Sequence, residues 1–311
     1  MTRGTSLPQL RGELFLTDGG IETSLIFHDG LDLPLFAAFD LLKSEQGTAA
    51  LRRYYEPYVA LARERGTGFV LESPTWRASP RWAAELGYTE GDLDGFNRQA
   101  ISLMEELRGT AGEEMVISGC IGPQDDGYNP SALLSADAAQ EYHAVQVGTF
   151  ADTAADMVTA ITMTYADEAL GVTRAAADAG MPAAISFTVE SDGRLPSGQP
   201  LGEAIEQVDA ESGGAPAYYM INCAHPTHFE AVVRASGDGA WRERIHGLRA
   251  NASTRSHAEL DEATELDAGD PDDLGARYAE LREHLPNLTV LGGCCGTDHR
   301  HVRAIAEAWP G

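Results

Sequence analysis

Two adjacent cysteines lie between glycines in the stretch GGCCG, residues 292–296, of a chain of 311 residues that has four cysteines. A third cysteine, Cys223, lies earlier in the chain. Thiolates are the soft ligands that zinc prefers, and three protein ligands leave its fourth position open to a substrate. The pair is not accompanied by the Cys-x-x-Cys loop or the histidine at zinc-finger spacing that a closed structural site would need. Cys223, Cys294 and Cys295 therefore indicate a catalytic zinc site.

The same cysteines permit two other interpretations. Cys294 and Cys295 could bridge reversibly in a redox sensor without enzymatic activity, with Cys223 as an ordinary buried cysteine. A zinc hydrolase is the other possibility, although three thiolates are a poor environment for making zinc acidic. In a zinc site, the glycines of the GGCCG stretch are expected to bend the backbone so that consecutive cysteines face one ion. The fourth cysteine, Cys120, is expected to be a small core residue.

Short apolar or β-branched runs alternate with amphipathic stretches of roughly 10–18 residues, a pattern that predicts parallel strands joined by crossover helices. The predicted strands end at Asp18, Glu72, Cys120, Thr162, Glu190, Cys223, Asn251 and Cys295. This alternation predicts a single α/β domain, residues 1–311, folded as a (β/α)8 TIM barrel of parallel strands. A doubly wound open sheet is the alternative, but its Gly-x-Gly-x-x-Gly fingerprint does not follow the first strand.

In such a barrel the active site forms at the carboxyl ends of the strands. Alternate strands contribute side chains to a common layer. The predicted even-numbered strands end at Glu72, Thr162, Cys223 and the Cys294–Cys295 pair. The barrel is therefore expected to bring the distant cysteines together at its mouth.

The net charge of −26, from 22 basic and 48 acidic residues, argues against nucleic acid and anionic membranes as partners, because phosphate binding requires clustered basic residues. Lys43 is the one lysine, which is typical of a GC-rich genome or of adaptation to high salt. No apolar run reaches the roughly 18–20 residues of a membrane span, and the N-terminus lacks the apolar segment of a signal peptide. We expect a cytoplasmic protein, and the sequence does not indicate its oligomeric state.

Five stretches resemble, in order, the homocysteine S-methyltransferase family: LTDGG, SGCIGP, ISFTVESDGRLPSGQPL, INCAHPTHFE and LGGCCGT. The resemblance extends from about residue 13 to residue 309. It implies a (β/α)8 barrel whose zinc is bound by Cys223, Cys294 and Cys295, with the sulfur of homocysteine as the fourth ligand. It also implies two small-molecule partners, a thiol and a methyl donor. Zinc ionises a bound thiol, so that its sulfur can attack the methyl group of an onium compound.

Further residues are expected to contact the substrates or to orient the site. Asp18 would face the amino group of the acceptor, although a turn residue that caps the first helix is the other interpretation. Thr162, at the end of strand four, is placed among the substrate-binding residues. Asn222 and Asn251, at the ends of strands six and seven, would orient the site through hydrogen bonds, or would satisfy local backbone groups.

The chain departs from the family pattern in two strands. Family members usually carry a glutamate in strand four that helps to bind the amino group of homocysteine, and Ile161 occupies this position. Leaving an ammonium group unpaired in a dry pocket costs several kcal/mol. In strand two, Glu72 stands where the family commonly has a neutral polar residue. Either Glu72 binds the cation instead, or the acceptor thiol differs from homocysteine; a structural alternative is that Glu72 pairs with Arg77.

The methyl donor is expected to be a small onium compound such as S-methylmethionine, S-adenosylmethionine or a betaine, because no cobalamin or folate domain fits within the chain. A separate corrinoid protein is the alternative. Trp76, Trp82 and Tyr88 could enclose the onium group through cation–π contacts, or could simply pack the loop after strand two.

Overall fold

The computed structural model describes residues 7–109, 114–237 and 239–309. Eight parallel strands form a closed barrel in the order β1 to β8, so the predicted (β/α)8 TIM barrel is confirmed. The strands are β1 (Phe15–Leu16), β2 (Gly68–Glu72), β3 (Met115–Ile121), β4 (Met157–Met163), β5 (Ala183–Phe187), β6 (Tyr218–Asn222), β7 (Ile245–Ala250) and β8 (Val290–Gly293).

Helices surround the barrel between successive strands. They are α1 (Ile21–Phe27), α2 (Glu45–Arg65), α3 (Pro80–Glu85), α4 (Glu90–Gly109), α5 (Ala136–Ala151), α6 (Ala166–Asp178), α7 (Leu201–Ser212), α8 (Pro226–Ala235), α9 (His257–Asp261), α10 (Pro271–Leu281) and α11 (His299–Ala308). Local signals set their ends: Ser44 Oγ accepts a hydrogen bond from Gly47 N at the start of α2, and Gly66 ends this helix at a φ of 64°. Within the described part of the chain, the helices lack the combination of length and apolar character that crossing a membrane requires.

The base of the barrel, at the amino ends of the strands, is filled by apolar side chains. They include Phe15, Val70, Val116, Met157, Tyr218 and Val290. Gln9, buried just before β1, donates hydrogen bonds to Met157 Sδ at 3.1 Å and Tyr218 Oη at 3.4 Å. With the base filled in this way, an open site can form only at the carboxyl end.

Five strands, β1, β5, β6, β7 and β8, end one to three residues earlier than predicted, because the backbone leaves the ladder before the last residues of the apolar runs. β5 ends at Phe187. β6 and β8 end just before Cys223 and Cys294. The backbone amides of these two cysteines still donate to β7, to Arg249 O at 3.1 Å and Ala250 O at 2.9 Å respectively. The cysteines are therefore the first residues beyond their strands and remain anchored to the sheet.

Candidate active site

The three cysteines predicted as ligands meet at the carboxyl end of the barrel. Their Sγ atoms all lie within 4.8 Å of one another. Cys223 Sγ is 2.7 Å from Cys294 Sγ and 3.6 Å from Cys295 Sγ. All four cysteines of the chain are free thiols, so the adjacent pair is not joined in a disulfide.

Cys223 has a φ of +53°, which residues other than glycine adopt only when their surroundings hold them there. Its carbonyl oxygen accepts hydrogen bonds from Asn251 Nδ2 at 3.0 Å and Thr188 Oγ1 at 3.3 Å, and lies 2.7 Å from His257 Nε2. These contacts fix the peptide that follows Cys223 and thereby the direction of its thiol. Asn251 thus acts from behind the thiols and does not line the cavity.

Asn222 joins the ends of β4, β5 and β6. Its Oδ1 atom accepts hydrogen bonds from Thr162 N at 2.9 Å and Ser186 Oγ at 2.6 Å, and its Nδ2 atom donates to Thr162 Oγ1 at 2.8 Å. The same Nδ2 atom lies 3.9 Å from Cys294 Sγ. Thr162, held at a φ of +66°, lines the cavity, whereas Asn222 is fully buried behind it.

The glycines beside the cysteine pair have two different roles. Gly296 turns the chain at a φ of +78°, as predicted. For Gly292 and Gly293 the prediction of a bend is wrong, because both belong to β8. A Cβ atom would lie 2.4 Å from Thr17 Cγ2 at Gly292, and 2.1 Å from Thr297 Oγ1 at Gly293. Close packing of neighbouring chain segments therefore requires glycine at these two positions.

A cavity of about 440 Å³ opens above the thiols. This volume is in the range of small-molecule sites. Apolar parts of its wall come from Ile21, Phe27, Phe36, Trp76, Ile161 and Leu260. Tyr128, in the loop after β3, extends over the thiols, with its Oη atom 3.4 Å from Cys223 Sγ and 3.5 Å from Cys295 Sγ. Its ring stacks on His257 with 4.0 Å between ring centroids. The thiols thus face an enclosed and largely apolar space.

Asp18 lines the cavity and forms a buried ion pair with Arg249 of β7, at 2.8 Å. Tyr54 Oη donates to the other carboxylate oxygen of Asp18 at 2.9 Å. Burial alone would lower the pKa of Arg249, but the carboxylates of Asp18 and Glu72 outweigh this effect and raise it. The alternative that Asp18 caps the first helix is wrong, since the N-cap of α1 is Gly20 and no side chain caps it.

Glu72 also lines the cavity, with only 5% of its surface exposed. Its Oε2 atom has no hydrogen-bond partner among the described residues. Burial raises the pKa of Glu72 to about 7, although the charge of Arg249 opposes the shift. The alternative pairing with Arg77 is wrong, because Arg77 Nη2 lies near Asp126, at 3.9 Å.

Comparisons with known proteins agree with this geometry. The sequence model of the homocysteine S-methyltransferase family matches residues 15–309. The chain belongs to this family. A search of curated proteins found no match. Homocysteine methyltransferase MmuM from Escherichia coli has the same fold. Its oxidized form gives a TM-score of 0.77 at 18% identity, over 97% of this chain and 100% of that chain. Its metallated form gives a TM-score of 0.72 at 18% identity, over 96% of this chain and 97% of that chain.

Membership in the homocysteine S-methyltransferase family makes this chain a thiol S-methyltransferase. The interpretations of the cysteines as a redox sensor or as a hydrolase site therefore no longer apply. Of the stretches that carried the resemblance, those at the ends of β1, β6 and β8 contribute Asp18, Cys223 and the Cys294–Cys295 pair to the cavity wall.

The aromatic residues after β2 do not form the onium enclosure considered for this methyltransferase. Trp76 and Trp82 contact the Arg77 guanidinium, whose Cζ atom lies 4.4 Å and 3.6 Å from the two ring centroids. Tyr88 instead packs against Phe39 and Phe96. The space between the two tryptophans is thus occupied by a cation of the protein itself.

Sequence reasoning missed three residues of this family site. Arg249 carried a signal, since it is a charged residue within the apolar run of β7 and a buried charge requires a partner. Glu22, at the start of α1, lines the cavity, and burial raises its pKa to about 8. Tyr128 lies in a loop without periodic pattern, so no signal in the sequence could place it over the thiols.

Proposed function

We propose that the chain is a zinc-dependent S-methyltransferase that transfers a methyl group from a small onium donor to the thiol of homocysteine, giving methionine. The observation that carries this proposal is the cluster of three free thiols at the floor of the cavity. Family membership supports the reaction class. Free thiols also suit a reducing compartment such as the cytoplasm.

The donor set fits zinc. Zinc–thiolate bonds of about 2.3 Å place the sulfurs of a tetrahedral site about 3.8 Å apart. The distance of 3.6 Å between Cys223 and Cys295 is close to this value, and the 2.7 Å between Cys223 and Cys294 requires these sulfurs to separate. When bound, zinc would ionise the acceptor thiol and keep its sulfur nucleophilic.

The protein's own residues contribute positioning and the exclusion of water. In the transfer, a sulfur lone pair forms the new bond to the methyl carbon, and the bond from that carbon to the onium atom breaks with its electrons left on the donor. The thiol proton leaves to solvent. No side chain has to donate or accept a proton at the reacting carbon. The apolar wall at Ile161 and Trp76 keeps the reacting groups dry, so their alignment accounts for most of the protein's contribution.

We assign the ammonium group of the acceptor to Glu72. Ile161 cannot pair a cation, and the charge of Asp18 is already shared with Arg249 and Tyr54. Asp18 and Thr162 complete the wall on which the acceptor lies. Glu72 combines a cavity position with an unpartnered carboxylate oxygen. A bound ammonium would provide the missing hydrogen bond.

Replacing Glu72 with glutamine is expected to weaken acceptor binding about 10- to 100-fold, because a hydrogen bond between charged groups is lost. The test is calorimetric binding of methionine, which carries the same ammonium group without a thiol. In the wild type, the affinity should rise with pH through about 7, because the raised pKa of Glu72 leaves its carboxyl neutral below that pH.

The matched control is Glu22→Gln, which removes the other cavity carboxyl with a raised pKa. It should leave most of the affinity for methionine in place. In the Glu72 variant, the change of affinity around pH 7 should disappear. Unchanged methionine binding by Glu72→Gln would contradict the assignment, and a larger loss in Glu22→Gln would transfer the ammonium site to that residue.

Zinc-loaded protein incubated with homocysteine and with S-methylmethionine, S-adenosylmethionine or glycine betaine, each carrying a deuterated methyl group, is expected to yield deuterated methionine with one donor. Mass spectrometry detects the product, and protein without zinc is the control. If homocysteine stays unchanged while a different thiol, offered with the same donors, is methylated, Ile161 marks a different acceptor. Absence of transfer to any thiol from all three donors would contradict the proposed function.

A further inference from the structure

Two arginines, Arg77 and Arg249, line the cavity. Arg249 is fully engaged: it pairs with Asp18 and donates to Thr17 Oγ1, Gly19 O and Gly293 O. Arg77 lacks such partners. Its Nε and Nη1 atoms are buried without a hydrogen-bond partner among the described residues, and its nearest carboxylate, Asp126, is 3.9 Å from Nη2. That separation is longer than a hydrogen bond.

The guanidinium of Arg77 is held in place although its Nε and Nη1 atoms have no hydrogen-bond partner among the described residues. The rings of Trp76 and Trp82 lie against it, and only 8% of the residue is exposed. Trp76 is itself fixed, because its Nε1 atom donates to Ile161 O at 3.2 Å and its backbone oxygen lies against Gly122, where a Cβ would be 2.3 Å away. A rigid guanidinium with free donors is the group that binds a carboxylate best.

The two cavity arginines face different carboxylates. Arg249 pairs with Asp18, and its positive charge also acts on Glu72 and Cys294. The charged groups that act most strongly on Arg77 are Asp126 and Glu22. Arg77 therefore takes no part in the Asp18–Arg249 ion pair and remains available to the second substrate.

An onium donor brings a positive charge into a cavity that already contains the Arg77 cation. A carboxylate on the donor removes this conflict, because it can accept hydrogen bonds from Arg77 while the onium carbon faces the acceptor sulfur. Building on the proposed function, we propose that Arg77 determines donor specificity by binding the carboxylate of the methyl donor. The site then rejects onium compounds that lack a carboxylate.

The test compares donors that differ only in the carboxylate: glycine betaine with ethyltrimethylammonium, and S-methylmethionine with (3-aminopropyl)dimethylsulfonium. Arg77→Gln is expected to raise the KM of the carboxylated donor about 30-fold, as loss of a hydrogen bond between charged groups does. The KM of homocysteine should change less than about twofold, since the acceptor is bound elsewhere. Wild-type protein should prefer the carboxylated member of each pair, and Arg77→Gln should not.

Arg81→Gln is the matched control, because Arg81 also lies over the Trp82 ring, at 5.1 Å, but pairs with Asp125 and Glu85 outside the cavity. It should leave both KM values unchanged. Arg77→Lys keeps the charge and the aliphatic stem, and should lose an intermediate amount of donor affinity because the two-pronged geometry is missing. If Arg77→Gln does not fold, Arg77→Lys and the donor preference of the wild type still decide the question.

An unchanged donor KM in both Arg77 variants would overturn the proposal, as would a rise confined to the KM of homocysteine. Calorimetry separates this outcome from failure of the proposed function. Wild-type protein that binds a carboxylated donor but transfers no methyl group would contradict the methyltransferase proposal. The role of Arg77 would then be tested by whether its variants bind that donor more weakly than the wild type. Wild-type protein that binds neither carboxylated donor would overturn the assignment of Arg77.

Discussion

Replacing Cys294 with alanine is expected to remove bound zinc and to lower methyl transfer by more than about 100-fold. Loss of a residue that only supports a metal ligand costs up to about 100-fold, and loss of the ligand itself should cost more. Cys294 Sγ is 2.7 Å from Cys223 Sγ and belongs to the cluster of three thiols. Two thiols cannot replace the donor set of three, and the acceptor thiol would then remain largely protonated. Zinc content by plasma mass spectrometry and the rate of methionine formation measure the two effects.

Cys120→Ala is the matched control for this variant. Cys120 is also a buried free thiol; it belongs to β3 and borders the cavity, but it lies outside the metal cluster. It should retain about one zinc per chain, which distinguishes it from Cys294→Ala. Retention of zinc by Cys294→Ala together with normal turnover would contradict the zinc site, and equal losses in both variants would indicate a general effect of removing buried thiols.

The cluster could be predicted from the sequence because barrel geometry is regular. Strands of even number end in one layer, so Cys223 after β6 and the pair after β8 had to converge once the barrel was assigned. The fold itself followed from the alternation of apolar runs with amphipathic helices. β1 shows the limit of such prediction, because only Phe15–Leu16 are paired although the apolar run is longer.

The contacts around the thiols could not be predicted. The left-handed backbone of Cys223 depends on Asn251, Thr188 and His257, which come from three separate segments. Likewise, the tryptophans after β2 were recognised as potential cation-binding groups, but the cation they contact is Arg77. A residue type indicates what a side chain can bind, and only the packing of distant segments decides what it does bind.

Replacing Arg249 with methionine is expected to lower the free energy of unfolding by about 3–5 kcal/mol, the usual cost of leaving one member of a buried ion pair without its partner. Arg249 also connects the closing seam of the barrel. From β7 it donates to Gly293 O at the end of β8 and to Gly19 O beyond β1. At this seam, β1 contributes only two residues to its pairing with β8. Urea unfolding of the wild type and the variant measures the loss.

The double variant Asp18→Asn/Arg249→Met separates the two roles of the arginine. If the unpaired charge of Asp18 causes most of the loss, removing that charge should restore about 2 kcal/mol or more, because neutral replacement of a buried pair is often tolerated. If the hydrogen bonds to Gly19 and Gly293 matter more, the double variant should be as unstable as Arg249→Met. We expect the first outcome. In Arg249→Met, Tyr54 and Thr17 still donate hydrogen bonds to Asp18, but neither carries the positive charge that a buried carboxylate requires.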